Sequence, residues 1–495
     1  MTADPSSEID APSSAVAQLS KVEQQHTTPP HSLSPQLALV VASLSALLGA
    51  LDSSVNIAFP ALSAAFGLDV SRMQWIVVSY VLTYASLLLG CGRLADLWGH
   101  SRLLSWGLAG SAVAFLCCGL APTFAWFLAA RVLQGIAVAL LFASAPALVT
   151  LTAPAEQRGR ALGLFQMSAA IGFALGPLLG GLLVDLFGWR AVYLFRIPLA
   201  LVLMVLAIRR PLAHVEQQER QPFDLAGALT LAASIAGFLL AFSRGRDLGW
   251  TSPVVLMLVV GASLCFAGFF IIERRVAAPV VDLSLFRHPA FAIANTLNVL
   301  ANCAMFAIWL LVPYYIVNAL GYPATTGGLL LTATPLTTAL AAPLADKLAD
   351  RLGTGALSSV GLGLEAVGLW SIGQLDAGAS ALAVMLALGC VGLGLGMFQT
   401  PNMSFVMGAI PREQQGVAGG MSQMMRTLGV VVGVTSASML FSSRRAVHAE
   451  RLHLPTVDDP QSFMPAFQEV FLMAAVVCVV AVGLSLLRGK KLLGN

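Results

Sequence analysis

The chain has 495 residues, of which 57% are hydrophobic and only 10% are Asp, Glu, Lys or Arg. Average soluble proteins carry about 25% charged residues, so this chain has too few to solvate a globular surface. Its net charge of +3, with basic residues scattered through the sequence, gives no basic patch that would indicate nucleic-acid binding. Composition therefore predicts a membrane protein that exposes most of its surface to lipid.

The first segment of the chain, residues 1–36, is rich in Ser, Pro, Gln, Ala and Thr and contains no apolar run. A signal peptide would need a basic start followed by an apolar stretch. The sequence instead predicts a disordered cytoplasmic tail.

Apolar runs follow at regular intervals from residue 37 onward. About 20 mostly apolar residues cross the roughly 30 Å hydrocarbon layer as a helix, which predicts an all-α, polytopic membrane protein. Fourteen such runs are predicted as spans, at 37–58, 74–91, 103–120, 124–150, 161–184, 191–208, 223–242, 253–272, 290–315, 326–345, 356–373, 379–404, 416–442 and 465–487.

The distribution of Lys and Arg predicts the orientation of these spans, because basic loops stay on the cytoplasmic side. With the N-terminus inside, 17 basic residues fall inside, 8 fall outside and two lie within spans. Arg196 is among those counted outside. We therefore expect a plasma-membrane protein with both termini in the cytoplasm.

An internal repeat links the two parts of the chain. Ten residues between Pro154 and Gly176 recur 257 positions later, between Pro411 and Gly433. A weaker match pairs Leu94-Ala95-Asp96 with Leu348-Ala349-Asp350. Repeated helix sets are common in transporters. The repeat predicts two six-helix bundles, at 37–208 and 289–495, joined by a linker at 209–288 that carries two extra spans.

The short loop after the second span reads Gly-Arg-Leu-Ala-Asp-Leu-Trp-Gly-His-Ser-Arg from Gly92 to Arg102. This segment resembles the signature loop of the major facilitator superfamily. The resemblance implies two rocking helical bundles, latched on the cytoplasmic side through an aspartate that accepts bonds from an arginine and a helix N-terminus. The expected latch residues are Gly92, Asp96, Gly99, Arg102 and Asp350.

The fifth span resembles the antiporter motif of the same superfamily. Glycines at spacings of four let two helices approach closely, and a proline permits a bend. In the family this motif marks exporters. The matching residues are Gly172, Gly176, Pro177, Gly180 and Gly181.

Two buried ionisable residues are candidates for proton coupling. Arg131, in a segment that resembles another family motif, and Asp52 lie at similar predicted depths, about 20 Å and about 22 Å above the inner surface. The segment around Asp52 resembles the first span of the fourteen-span drug:proton antiporter branch. Burial favours the neutral carboxyl group and a nearby arginine favours the ionised one. Asp52 is thus either the protonation site or half of a fixed ion pair with Arg131.

Amide side chains are candidates for the substrate path. Asn295, Asn298 and Asn302 share one face of the ninth span, although such amides equally well join helices by hydrogen bonds. Trp309, Tyr314 and Tyr315 are expected to be interfacial anchors, and buried Glu365 and Arg426 have no assigned role. The expected path residues are Asn56, Gln134, Asn295, Asn298, Asn302, Gln399 and Asn402.

The resemblance implies proton-driven export of drugs or toxic metabolites by alternating access, with proton-symport uptake as the alternative. The sequence contains no phosphate-binding Gly-x-x-x-x-Gly-Lys-Ser/Thr loop, so ATP hydrolysis is not the expected energy source. All seven cysteines fall in apolar stretches and predict no metal site. We expect a monomeric transporter, not an enzyme, that needs no cofactor and whose partners are a small organic substrate, protons and lipid.

Overall fold

The computed structural model describes residues 35–154, 157–209, 225–249, 251–276, 283–411, 415–457 and 459–492. Within these ranges every regular element is helical, which confirms the predicted all-α membrane fold. Nearly all of the predicted tail at 1–36, and much of the linker after residue 209, lie outside the described residues.

Six long helices form the first half of the chain. The first of them, α1, continues beyond its end through a 3₁₀ turn, Leu51–Ser53, a helical turn, Ser54–Ile57, and a short helix, Phe59–Phe66. The bounds are α1 Pro35–Ala50, α2 Val70–Trp98, α3 His100–Gly119, α4 Phe124–Thr152, α5 Arg158–Phe187 and α6 Arg196–Arg209.

Two helices follow as an insert, and six more form the second half, in which α9 ends in a π-helical turn, Tyr315–Ala319. Within the described residues, twelve helical stretches are long and apolar enough to cross a membrane. They do not include α2 or α7, so fourteen spans stay a prediction. The bounds are α7 Leu225–Leu248, α8 Pro253–Glu273, α9 Pro289–Tyr314, α10 Ala324–Leu352, α11 Thr354–Gly373, α12 Ala381–Gly408, α13 Gln415–Arg451 and α14 Pro460–Leu492.

The two halves use the same helix packing. In the first half α5 packs on α1, and in the second half α13 packs on α9. A β-carbon at Gly172 would lie 2.5 Å from the backbone oxygen of Leu47, and one at Gly429 would lie 2.6 Å from that of Val299. These two glycines are 257 positions apart. The sequence repeat therefore corresponds to a repeated close approach of backbones.

The halves meet along two seams, α5 with α10 and α2 with α13. The inserted helices lie outside the second seam, where α7 packs on α2 and touches α13. Only 17% of the apolar stretch of α8 is buried. A helix that is apolar all round yet exposed faces lipid, so α8 forms part of the outer surface of the bundle.

The prediction that aromatic residues at the end of α9 are interfacial anchors is wrong. Trp309, Tyr314 and Tyr315 are at most 1% exposed. The Trp309 ring packs edge-on against Phe173 of α5 at 5.2 Å, and the Tyr315 hydroxyl donates to the backbone oxygen of Asp376 at 2.6 Å. The reason is that α9 is the most deeply buried of the candidate spans, with 78% of its apolar stretch inside the protein.

Candidate functional site

The turn that carries Asp52 is where α1 departs from regular helix. Its position is fixed by α5, because the Ser53 hydroxyl donates to the backbone oxygen of Phe173 at 3.0 Å. A β-carbon at Gly176 would overlap the Ser53 hydroxyl, and one at Gly180 would overlap the Ser54 backbone. The motif glycines of α5 therefore permit the contact that positions Asp52.

Asp52 is bound by Arg131 and Gln134 of α4. Arg131 Nη1 lies 2.9 Å from Asp52 Oδ1, and Arg131 Nη2 lies 3.0 Å from Oδ2. Gln134 Nε2 donates to Oδ1 at 2.8 Å, and Gln134 Oε1 accepts from Arg131 Nη1 at 2.9 Å. Arg131 also donates to the backbone oxygen of Ile76 at 3.0 Å. The structure thus brings together the two residues expected to be at equal depth.

Arg196, counted among the outer basic residues, is also part of this site, and that assignment is wrong. Its Nη1 donates to Asp52 Oδ1 at 3.0 Å, and its Nε donates to the backbone oxygen of Val192 at 3.0 Å. The short helix Ala191–Leu194 brings the chain back inward, so that Arg196 begins α6 fully buried. Its position inside the apolar run 191–208 was the signal that could have identified it.

Asp52, Arg131, Gln134 and Arg196, hereafter the Asp52 cluster, have an excess of positive charge. One carboxylate faces two guanidinium groups, which gives a net charge of +1 when Asp52 is ionised. The three side chains are 12%, 2% and 0% exposed in the order Asp52, Arg131 and Arg196. Loss of the negative charge would leave two buried cations uncompensated, which is strongly unfavourable.

The two halves are joined at the predicted outer end, the end of the bundle that carries the α1–α2 and α5–α6 turns. Asp185 of α5 accepts from the backbone N–H groups of Ala324 and Thr325, at 3.1 and 2.7 Å, and from the Thr325 hydroxyl at 2.6 Å. These groups form the N-terminus of α10, which favours a negative charge. A second contact between the halves is the hydrogen bond that the Tyr314 hydroxyl donates to Ser63 Oγ at 3.0 Å.

The expected latch at the predicted cytoplasmic end is not formed by the described side chains. Gly99 and Gly353 take equivalent positions between helices, with φ of 93° and 83°, which favours glycine. Arg102 and Asp350 are exposed, and no hydrogen bond or ion pair joins either to another described residue. The side chain of Asp96 lies outside the described set, and Gly92 has open space around it. The latch stays a prediction.

The amides expected to line the substrate path mostly bond to backbone. Asn298 Nδ2 donates to the Ser422 oxygen at 3.0 Å and joins α9 to α13. Asn402 Nδ2 donates to the Ala294 oxygen at 3.1 Å and joins α12 to α9. Asn295 and Asn302 donate within α9. Only Asn298 and Asn402 therefore join helices, which is the alternative interpretation. A role of these amides in the substrate path stays a prediction.

Two further candidates for the path, Asn56 and Gln399, are half-buried. Glu365, whose role was open, lies away from the Asp52 cluster. It is fully buried on α11 next to Cys478 of α14.

Comparison with known proteins agrees with this architecture. The family model described as Major Facilitator Superfamily matches residues 41–434 and 294–492. A multidrug resistance protein, Stp, of Mycobacterium tuberculosis is 31% identical over 402 residues, which cover 80% of this chain and 74% of that protein. The tetracenomycin C resistance and export protein of Streptomyces glaucescens is 30% identical over 415 residues, which cover 83% of this chain and 76% of that protein.

A solved structure shares the fold. The crystal structure of the POT family transporter PepTSo superposes with a TM-score of 0.65 at 15% identity, covering 92% of this chain and 99% of that one. The paired bundles, the buried charge cluster of the first half and the matched family model lead to one assignment. The chain is a multi-pass membrane transporter and belongs to the Major Facilitator Superfamily.

Proposed function

We propose that this transporter exports small organic compounds from the cytoplasm in exchange for protons. The observation that carries the proposal is the junction of α1 and α5, where the glycines that resemble an exporter motif hold the turn bearing Asp52. The names of two relatives, a multidrug resistance protein and a resistance and export protein, support outward transport.

The mechanism is alternating access between two rocking halves. Contacts at the predicted outer end, from Asp185 to Thr325 and from Tyr314 to Ser63, hold that end closed. A substrate would then enter from the predicted cytoplasmic end. Opening of the outer end requires these bonds to break. The close packing of Pro177 on Gly328, one helical turn further along α10 than Ala324, lets α5 and α10 act as the shared pivot.

Asp52 is the group that we propose to couple protons to this motion. Asp52 and both arginines belong to the first half, so the three groups stay together when the halves separate. A proton would therefore bind Asp52 only when opening lets water reach the carboxylate and solvate the two guanidinium groups. Proton entry from outside would then accompany substrate release. The competing role, a fixed ion pair that only stabilises the fold, predicts no proton movement through Asp52.

The test is transport in everted membrane vesicles from cells that overproduce the full chain. We expect ethidium, Nile red or carboxyfluorescein to accumulate when the vesicle interior is acidified, and nigericin, which collapses the pH gradient, to abolish accumulation. Vesicles without the transporter are the control. Accumulation that persists without a pH gradient would contradict proton coupling. Accumulation only in right-side-out vesicles would instead support symport uptake.

A further inference from the structure

Helix α13 borders a cavity at the seam with α2. This cavity, of about 850 Å³, lies beneath the inserted helices and is lined from α13 by Met424, Met425, Thr427, Leu428 and Val431. Arg426 is not among the residues that line the cavity, although Met425 and Thr427 on either side of it are.

Helix α2 borders the same cavity through Leu82, Ala85 and Ser86, whereas Tyr84 is not among the lining residues. The Tyr84 hydroxyl lies 3.2 Å from Thr427 Oγ1, and Thr427 is the residue that follows Arg426. Tyr84 and Arg426 therefore lie at the same level of the seam between the halves.

Tyr84 connects this position to the Asp52 cluster. Its ring centroid lies 5.5 Å from that of Tyr80, and the Tyr80 ring lies under the Arg131 guanidinium, 4.4 Å from its carbon. Phe142 of α4 packs edge-on against Tyr84 at 6.2 Å. A series of ring contacts thus connects the Asp52 cluster to Tyr84. Within it Tyr80 is buried, at 7% exposed, whereas Tyr84 and Phe142 are half-buried.

Arg426 differs from the arginines that have a carboxylate partner among the described residues. Arg131 and Arg196 share Asp52, and Arg444 is paired with Glu469. Arg426 is half-buried, and no carboxylate of the described residues forms an ion pair with it. The Asp52 cluster does not supply a spare negative charge, because its own balance is +1. The seam is therefore electropositive and holds a guanidinium whose counterion is not part of the described protein.

We propose that Arg426 binds the anionic group of the transported compound, and that aromatic carboxylates or sulfonates are a substrate class of this transporter. A guanidinium binds such oxyanions through two parallel hydrogen bonds. The half-buried Tyr84 and Phe142 rings give an aromatic body a surface to pack on. The inference rests on the proposed export function and adds the charge of the substrate.

The experiment uses three ligands of equal shape, 1-naphthoate, 1-naphthamide and 1-naphthylmethylammonium. The purified full chain is reconstituted in phosphatidylcholine, so that no anionic lipid competes for Arg426. Binding of each ligand is measured by the rise in the unfolding temperature of the protein as ligand is added. It is measured a second time by the inhibition of carboxyfluorescein transport. We expect 1-naphthoate to bind best. Arg426→Gln should weaken 1-naphthoate binding about tenfold or more and leave 1-naphthamide unchanged, and Arg426→Lys should retain part of the binding.

Arg451→Gln is the matched control, because Arg451 is an exposed arginine at the end of the same helix; it should change nothing. Arg426→Lys keeps the experiment informative if Arg426→Gln fails to fold. Equal binding of 1-naphthoate to the wild type and the Arg426→Gln variant would overturn the inference, as would preference for the ammonium compound. Export of ethidium or Nile red with no binding of any anion would overturn the inference and leave the proposed function standing. If added phosphatidylglycerol abolishes 1-naphthoate binding, the group that binds Arg426 is a lipid headgroup, and the inference is overturned.

Discussion

At the scale of residues, the centre of the molecule is a carboxylate held by two arginines. The pairing of Asp52 with Arg131 could be predicted, because the rise of a helix converts sequence position into depth. Arg196 could not be found by the same argument, since counting basic residues assumes that they lie in loops. Depth does not tell which way a side chain points. For that reason the sequence does not decide whether the asparagines of α9 line the substrate path or join helices.

The charge balance of the Asp52 cluster predicts the order of stability of its variants. Asp52→Asn leaves two buried cations without a counterion and should cost about 3–5 kcal/mol, whereas Arg196→Met leaves a neutral pair and should cost less. The double variant should be more stable than Asp52→Asn, which thermal unfolding of the purified proteins measures. A double variant that unfolds at a lower temperature than either single variant would contradict this balance.

Proton coupling through Asp52 predicts a second result. Addition of substrate to energised proteoliposomes should release protons from the wild type, as measured with a pH-sensitive dye, and not from Asp52→Asn. Asp346→Asn removes an exposed carboxylate of α10 and should behave as the wild type. Unchanged proton release from Asp52→Asn would assign Asp52 the structural role only.

At the scale of elements, the glycines of α5 determine how closely α1 can approach. Their spacing predicted tight packing, but the sequence did not name the partner helices, because any glycine-rich helix can pack closely. The structure assigns Gly172, Gly176 and Gly180 to α1 and Gly181 to α10. Asp185, which joins the halves at the predicted outer end, was not singled out, since a lone aspartate at a helix end carries no pattern.

Substitution of the packed glycines should disturb the turn that bears Asp52. Gly176→Ala places a methyl group on the Ser53 hydroxyl, and overpacking of this kind costs about 1–3 kcal/mol. We expect lower thermal stability and loss of transport. Gly163→Ala in the same helix meets nothing within 4 Å and is the control. Equal transport by both variants would show that the close approach is dispensable.

Weakening the outer contact should shift the balance between the two conformations. Asp185→Ala removes three hydrogen bonds to the start of α10. We expect a cysteine placed at Thr325 to react faster with a membrane-impermeant maleimide added from outside when Asp185 is also replaced. An unchanged rate would mean that Asp185 does not hold the outer end closed.

At the scale of the whole molecule, the fold and the family could be predicted because composition, span length and repeat are properties of many residues at once. The repeat at 257 residues corresponds to the same packing in both halves. The burial of Trp309, Tyr314 and Tyr315 was missed for a related reason, since the aromatic rule describes helices at the lipid boundary. Whether a helix is central or peripheral depends on packing that no local pattern reveals.

The central claim is that the two halves rock about α5 and α10, and spin-label distances test it most directly. In a chain whose seven cysteines are replaced, one pair of labels at exposed Ala65 and Asn318 spans the predicted outer end. A second pair at exposed Leu97 and Leu352 spans the other end. When substrate is added and the pH is lowered, the first distance should lengthen and the second should shorten together. Two distances that stay fixed while the same sample transports substrate would contradict the account.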